Sequence, residues 1–439
     1  MTSNEPLFNL KAVVQQTGTK PDTLRAWERR YGLPTPRRST GGHRLYSQRD
    51  IDTIKWLTDR QQEGLSIRRA VEQWRQIEAD GRDPLLEAAA SAIQRTVAQP
   101  LYPAGATLEK MRGDWLDACL AYNEQQATLI LNQAFALYPP ETVVVELLQR
   151  AAAQVGEGWY QSNVTVQQEH FCSAQIVRRL ETLVMAAPPP ARPGRILVAC
   201  PPEEYHVIGP LLLTFLLRRQ GWEVIYLGAN VPTERLETTV AAVKPQLVIM
   251  AAQQLHTAAT LAEAAVVLQR EGVPLAYGGR IVNLLPALCR RITGHFLGEA
   301  LEAAPKVVES LMAAPRPAPA AEPVSEAYRQ ALDRFQERQA LIEAHLVERL
   351  NGAGLAHNHL TLANRELSLN IGAALALGDM DFLGTDIEWI RGLLKNHRVP
   401  DEALYDYLGA YHQVVTKQLG MESPVADWLG ELLGGSAPD

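Results

Sequence analysis

From Gly194 onward the chain alternates short apolar runs with amphipathic stretches, and no other pattern in it restricts the fold as tightly. The apolar runs fall at 195–200 (RILVAC), 224–227 (VIYL), 247–250 (LVIM) and 275–277 (LAY), with helical stretches between them at 209–220, 233–243 and 258–270. Strands that are apolar along their whole length suit a parallel sheet covered by helices on both faces. The spacing therefore predicts a flavodoxin-like parallel α/β domain over 194–312. In such sheets ligands bind beyond the carboxyl ends of the strands, which places the loop after Cys200 at the expected site.

Proline and glycine clusters separate this unit from three others. Gly81 to Pro84 closes a first unit, 1–82; Pro188, Pro189, Pro190 and Pro193 close a second, 85–187. An Ala/Pro-rich stretch, 313–323, reads as a semi-extended linker into a fourth, 325–432. The first unit opens with an amphipathic pattern at Leu10, Val13 and Val14 and a Thr17-Gly18 turn. A helix over 21–30 begins at Pro21 and is broken by Gly32 and Pro34. A hairpin-like stretch through Gly41-Gly42 and a longer helix from Ser47 follow, with Ser47 and Asp50 suited to its cap and first turn. The second unit reads as helix throughout, with Leu116, Leu120, Leu129, Leu131, Phe135, Val143, Leu147, Ile176, Leu180 and Leu183 at helical spacing, which predicts a four-helix bundle. The fourth unit returns to helix: Tyr328, Leu332, Phe335, Ile342 and Leu346 share a face, and further helices are expected at about 358–378, 381–396 and 401–419. The fold class is thus multidomain, α and α/β, opening on a winged helix-turn-helix.

Composition narrows the function classes. Hydrophobic residues make up 46% and charged residues 21% of 439, ordinary proportions for a globular protein. No apolar stretch reaches the roughly 18 residues of a membrane span, and the first ten residues lack the basic start and apolar core of a secretion signal. Cys119, Cys172, Cys200 and Cys289 form no Cys-x-x-Cys pair, so neither a disulfide framework nor a structural zinc site is expected, and a reducing cytoplasm fits. The net charge of −7 is uneven. Residues 1–82 hold 15 Lys+Arg against 10 Asp+Glu, a net of +5, and the remaining residues a net of −12. One basic end on an acidic chain suits a polyanion partner there. Charge alone fits a solvated basic face equally well.

Motifs decide between those readings. The run Leu24-Arg25-Ala26-Trp27-Glu28-Arg29-Arg30-Tyr31-Gly32-Leu33, followed by Gly42-His43-Arg44-Leu45-Tyr46-Ser47, resembles the N-terminal domain of the MerR family over about residues 7–75, and its tryptophan version resembles the CarH/LitR branch. The resemblance implies that helix 21–30 enters the major groove of a double-stranded DNA operator while the wing, 37–46, straddles phosphates. Guanidinium groups give bidentate bonds to phosphate or guanine, and a phenol or imidazole can donate to backbone oxygens. Arg25, Arg37, Arg38 and Arg44 are the candidates for phosphate, Thr23 and Arg29 for base edges, and His43 and Tyr46 for the backbone.

After the first strand of the α/β unit comes Glu204-Tyr205-His206-Val207-Ile208-Gly209, which resembles the acid-x-His-x-x-Gly signature of cobalamin-binding domains. By that resemblance His206 is the lower axial ligand to cobalt, and Glu204 accepts its second N–H. The chemistry is sound, because a carboxylate partner fixes an imidazole's tautomer and raises its basicity. Gly209 opens the next helix where the corrin and its tail need close approach to backbone. The likeness continues through 221–222 and 226–232 to Gly278-Gly279, which in the family line the nucleotide tail. It departs at Met250-Ala251-Ala252, where the family usually has a serine. In the bundle, Trp159, nine residues, then Glu169-His170 resembles the Trp-x9-Glu-His cap of CarH-type proteins, implying adenosylcobalamin with Trp159 stacked over the adenosyl group and Glu169 and His170 bonded to it. Tyr160 stands where that group commonly has histidine, and a phenol with a reference pKa of about 10 is the poorer cobalt ligand.

The fourth unit holds His345, His357, His359, His397 and His412, with Trp389 and Trp428. Its stretch Phe382-Leu383, Asp386, Trp389 and Arg398-Val399-Pro400 weakly resembles the globin-like, bilin-holding module of photocobilins. With no cysteine beyond Cys289, a second chromophore (biliverdin or haem) would be held there non-covalently. A helical oligomerisation or docking domain fits as well. The expected function is a light-responsive regulator, read as a repressor and forming a homo-oligomer (dimer or tetramer), whose DNA binding changes when the Co–C bond is photolysed. The alternatives are a light-independent cobalamin-level or redox sensor, favoured by Tyr160, and a cobalamin enzyme or methyl carrier. The enzyme would need a substrate barrel of about 250 residues, for which the tail is too short and too helical.

Overall fold

The computed structural model describes residues 5–39, 41–62, 65–87, 102, 106–161, 163–350, 357–384 and 401–434, with backbone alone at 62, 357–360, 362 and 401–403. The chain forms two compact units, Met1–Pro103 and Ala104–Asp439.

In the first unit a three-stranded antiparallel sheet packs with helices. The strands β1 (Pro6–Asn9), β2 (Arg37–Arg38) and β3 (Arg44–Ser47) lie in the order β1-β3-β2. Asn9 caps α1 (Leu10–Thr17) by accepting from the Ala12 N–H at 2.9 Å, and Gly18 ends it with φ of +66°. Pro21 opens α2 (Pro21–Tyr31), and Gly32 closes it in the same left-handed region. Ser47 and Asp50 cap α3 (Gln48–Gln62) reciprocally: the Ser47 N–H donates to Asp50 Oδ2 at 2.8 Å, and the Asp50 N–H to Ser47 Oγ at 3.1 Å. The other Asp50 oxygen accepts from the Thr35 N–H, tying the wing to α3. The helix expected from Ser47 is two helices, because Ser66 starts a new one, α4 (Ile67–Ala79). Trp56 and Trp74 pack edge to face at 5.2 Å and hold α3 against α4.

The second unit starts with four helical segments. They are α5 (Leu108–Leu120), α6 (Glu124–Leu137), a third made of α7 (Pro140–Val143), a π-helical turn (Val144–Gln149) and α8 (Arg150–Tyr160), and α9 (Val166–Met185). Their inward faces carry Met111, Trp115, Ile130, Leu131, Leu147, Leu148, Val155, Ile176 and Leu180, all buried. The caps Asn123 and Thr165 part the helices of the bundle expected over 85–187, whose stretch 88–101 lies outside the described residues.

Next comes a five-stranded parallel sheet of β4 (Arg195–Ala199), β5 (Glu223–Gly228), β6 (Leu247–Ala251), β7 (Leu275–Gly278) and β8 (His295–Phe296), in the order β5-β4-β6-β7-β8. This is the flavodoxin-like order, with its switch point at β4 and β6. The two-residue period of a strand explains the unbroken apolar runs. Ile196 and Val198 face one core with Leu213 and Leu217 of α10 (Ile208–Arg219) and Val308 and Leu311 of α14 (Ala304–Ala313). Leu197 and Ala199 face the other, built on α11 (Leu236–Val243), α12 (Leu255–Arg270) and α13 (Arg280–Leu284).

That second core does not stop at α12. It runs on into α15 (Glu326–Leu350), α16 (His357–Leu377), α17 (Asp401–Leu419) and α18 (Pro424–Gly434), with α16 packed along α12. The stretch before α15 is extended, as its prolines require, and is tied to the sheet edge. The Gly294 N–H donates to the Pro319 carbonyl at 3.1 Å, Ala321 N–H to Thr293 Oγ1 at 3.0 Å, and Glu322 N–H to the Arg290 carbonyl at 2.8 Å. The helix expected over 381–396 begins as a 3-10 turn, Met380–Leu383; residues 385–400, with Asp386, Trp389, His397 and Arg398, lie outside the described residues.

Candidate functional site

The loop leaving β4 puts a carboxylate where water cannot reach it. Glu204 is 0% exposed, and four donors surround it. Oε1 accepts from the His206 main-chain N–H at 2.9 Å and from His206 Nδ1 at 2.6 Å; Oε2 accepts from the Gln253 N–H at 2.7 Å and from Thr257 Oγ1 at 2.7 Å. A buried charge without such partners costs several kcal/mol or changes protonation. Burial pushes the Glu204 carboxyl up, but the His206 hydrogen bond and charge, with the His206 and Gln253 amides, outweigh it and hold it below the usual carboxylate range. The same hydrogen bond to Glu204 raises His206, against partial burial. A carboxylate can only accept, so Nδ1 carries the proton and the Nε2 lone pair points away from Glu204. The His206 side chain is 59% exposed. The result is an oriented, basic and accessible imidazole.

A second loop locks the first. Asn230, with φ of +49°, accepts from the Glu203 N–H at 2.8 Å, donates from Nδ2 to Tyr205 Oη at 3.1 Å, and its own N–H donates to the Glu204 carbonyl at 2.9 Å. Asn230 falls within the 226–232 stretch of the likeness without being singled out there, and Thr257 does not stand out in the sequence as a site residue. Met250-Ala251-Ala252 supplies no hydroxyl, and Thr257, in the first turn of α12, brings one to Glu204 instead. The readable signal is Gln254-x-x-Thr257, a capping pair that fixes Thr257 at the helix start.

The three glycines differ in what they do. A Cβ on Gly279, where φ is +119°, would lie 2.0 Å from the Ala252 carbonyl oxygen, so the fold itself demands glycine. A Cβ on Gly278 would meet nothing within 4 Å, so this glycine leaves room beside the sheet end. Gly209 sits one residue inside α10, and a Cβ there would make ordinary contact with Leu301 at 3.7 Å, so the fold itself does not demand glycine at this position.

On the bundle side, Trp159 is half-buried in the last turn of α8, and Tyr160 beside it is exposed. The capping box of Thr165 and Gln168 starts α9 and sets Glu169 and His170 in its first turn. Glu169 Oε2 bonds His170 Nδ1 at 2.6 Å, and Oε1 accepts from Ser173 Oγ at 2.5 Å. The Glu169 charge adds to the upward push on His206, and α9 packs against α10, the helix that follows the β4 loop. Sequence separates these two helices by a domain boundary; the fold packs them together.

These donors fit a metal that arrives inside a macrocycle. Among the described residues no group of three or more His, Cys, Asp and Glu side chains could hold a bare ion. One fixed imidazole beside an open cradle suits cobalt already held in its equatorial plane by a corrin.

In the first unit Arg29, Arg37, Arg38 and His43 are exposed, and Arg25 is exposed with a 3.3 Å ion pair to Asp22. Thr23 is half-buried on α2. Two expectations change. Tyr46 is 1% exposed and belongs to the core with Val13, Leu24 and Trp27, because β3 is the central strand and turns this side chain inward; its part is to seat the wing, not to meet DNA. Arg44 Nε is held by Glu28 Oε2 at 2.7 Å, so the pair clamps the wing to α2, and that guanidinium is shared with any phosphate.

The family model for MerR HTH family regulatory proteins matches residues 8–74. Two models described as B12 binding domain match residues 112–183 and 194–308. The HTH-type transcriptional repressor CarH of Myxococcus xanthus is 32% identical over 299 residues, 67% of this chain and 96% of CarH. CarA of the same organism, also an HTH-type transcriptional repressor, is 31% identical over 246 residues, 55% of this chain and 75% of CarA. The HTH-type transcriptional regulator MlrA of Escherichia coli (strain K12) is 49% identical over 49 residues, 11% of this chain and 20% of MlrA. No described helix is long and apolar enough to cross a membrane. The chain thus belongs to the CarH family of MerR-type helix-turn-helix proteins, and it is a DNA-binding, cobalamin-binding transcription regulator.

Proposed function

We propose that this regulator is a light-responsive cytoplasmic repressor that uses adenosylcobalamin as its sensor and acts as a homo-oligomer on its operator. The observation that carries the reading is the packing of α9, the bundle helix that bears Glu169 and His170, against α10, the helix that follows the His206 loop. A ligand between them touches two separately built elements, so a change in its upper face alters contacts on one and leaves the other in place. Bound adenosylcobalamin supplies a visible-light absorber and a cobalt–carbon bond that light breaks. His206 holds the lower face, with Glu204 fixing its tautomer. Gly209, Gly278 and Gly279 give the corrin and its tail close approach to the backbone. Trp159, Glu169 and His170 meet the adenosyl group. On DNA, Arg25, Arg37, Arg38 and Arg44 take phosphate, Thr23 and Arg29 approach base edges, and His43 reaches the backbone.

An operator mobility-shift assay with adenosylcobalamin tests this directly. The expected result is a complex in the dark that is lost after green light; equal binding in both contradicts it. Tyr160 supports a second reading, a cobalamin-level sensor indifferent to light, since a phenol is a poor replacement ligand at neutral pH. In that case methylcobalamin or hydroxocobalamin serves as well as the adenosyl form.

A subordinate reading concerns a second, non-covalent chromophore in 325–432. Its support is a polar interior: Tyr407 Oη donates to Asn364 Oδ1 at 2.7 Å, Ser368 Oγ lies 3.3 Å from Tyr411 Oη, and buried Asn370 Oδ1 has no partner among the described residues. Of the histidines, His345 is spent on the Leu341 carbonyl of its own helix. A red or Soret absorption band in the purified protein tests this reading, and its absence leaves these helices as a docking or oligomerisation layer.

A further inference from the structure

We propose that Arg280 anchors the phosphodiester of the corrin's nucleotide arm, and so distinguishes complete cobalamin from a corrin lacking that arm. The proposal rests on the cobalamin reading of the Glu204–His206 site.

Three observations lead to it. First, Arg280 is fixed relative to His206 by two hydrogen bonds through one residue. The Gln253 N–H donates to Glu204 Oε2 at 2.7 Å, and Gln253 Oε1 accepts from the Arg280 N–H at 3.0 Å. The carboxylate that orients the imidazole is therefore joined to the turn that carries Arg280. Second, Arg280 follows the two glycines directly. Gly279 is demanded by the Ala252 carbonyl, whereas Gly278 opens onto unfilled space. Third, the guanidinium is exposed and, among the described residues, has no carboxylate partner, whereas Arg178, Arg192, Arg195 and Arg219 each hold one.

The chemistry of the ligand decides what such a cation is for. The side arms of a cobalamin corrin are neutral amides, and the arm that carries the nucleotide is joined through a phosphodiester, its one fixed anion. A planar guanidinium with a free fork of donors matches that group in charge and geometry. Neutral amides would need no cation, and an unpaired arginine beside them would add little selectivity.

The test uses the full chain and two probes, hydroxocobalamin and diaquocobinamide, which share the corrin ring while only the first has the phosphodiester and nucleotide. Spectral titrations compare the wild type with Arg280→Ala and Arg280→Gln. The expected result is a loss of about ten- to a hundred-fold in hydroxocobalamin affinity, the range of a charge-assisted hydrogen bond, and less than about two-fold for diaquocobinamide. Arg280→Lys keeps the charge and falls between. Equal losses on both probes, or none on hydroxocobalamin, overturn the proposal. If the wild type takes up neither corrinoid, the cobalamin reading has failed instead, so the two failures are told apart.

Discussion

On the sheet side of the site the Glu204 carboxylate is enclosed, and its bonds come from the β4 loop, from the end of β6 and from α12. On the bundle side Glu169 and His170 bond to each other, and Glu169 to Ser173, all within about one turn of one helix. His170 is exposed there, whereas Thr257 is buried. The difference teaches how the proposed switch divides its labour. The side wired across distant segments is set before any ligand arrives and cannot change without disturbing the fold. The side held by local bonds can rearrange at little cost, so the response to the ligand belongs to the bundle.

The largest effect expected from this contrast lies on the sheet side. Gly279→Ala forces a Cβ onto the Ala252 carbonyl and should destabilise the second unit by about 3 kcal/mol, seen as a lowered melting temperature. Gly278→Ala should melt normally and bind corrin more weakly. If the two melt alike, the wired side is less rigid than its bonds indicate. Next in size, Glu204→Gln should weaken cobalamin binding by about ten- to a hundred-fold, since the carboxylate orients the ligating imidazole. A titration showing less than two-fold change (about 0.4 kcal/mol) would break the link between that carboxylate and His206. The smallest effect is expected in the bundle. His170→Ala removes an exposed pair worth about 1 kcal/mol or less, so cobalamin affinity should shift by less than about five-fold. The dark-to-light difference in operator binding should shrink in this variant. A large affinity loss with an unchanged light response would reverse the assignment of the two sides.

Much of this was legible in the sequence where the information is local. Glu204, His206 and Gly209 share one loop, and the apolar runs around them announce the parallel sheet. Capping at Ser47 and Asp50 was legible for the same reason. Thr257 was not, since its hydroxyl reaches Glu204 from 53 positions away and only the fold makes them neighbours. Tyr46 misled because an aromatic in a basic wing fits either face of a strand, and the pairing of β3 between β1 and β2 decides which. The short strand β1 pairs with a segment far along the chain and carries little signal of its own. Periodicity in the C-terminal helices showed that one face is buried, but not that α12 is what covers α16.

The central claim is that His206 Nε2 is the nitrogen beneath cobalt. Electron paramagnetic resonance of the cob(II)alamin-loaded protein reads that nitrogen through its superhyperfine splitting. With ordinary protein each cobalt line should split into a triplet, and with protein made from nitrogen-15 histidine into a doublet. A triplet that survives the labelling would place the cofactor's own base, or no protein histidine, under the metal and contradict the account.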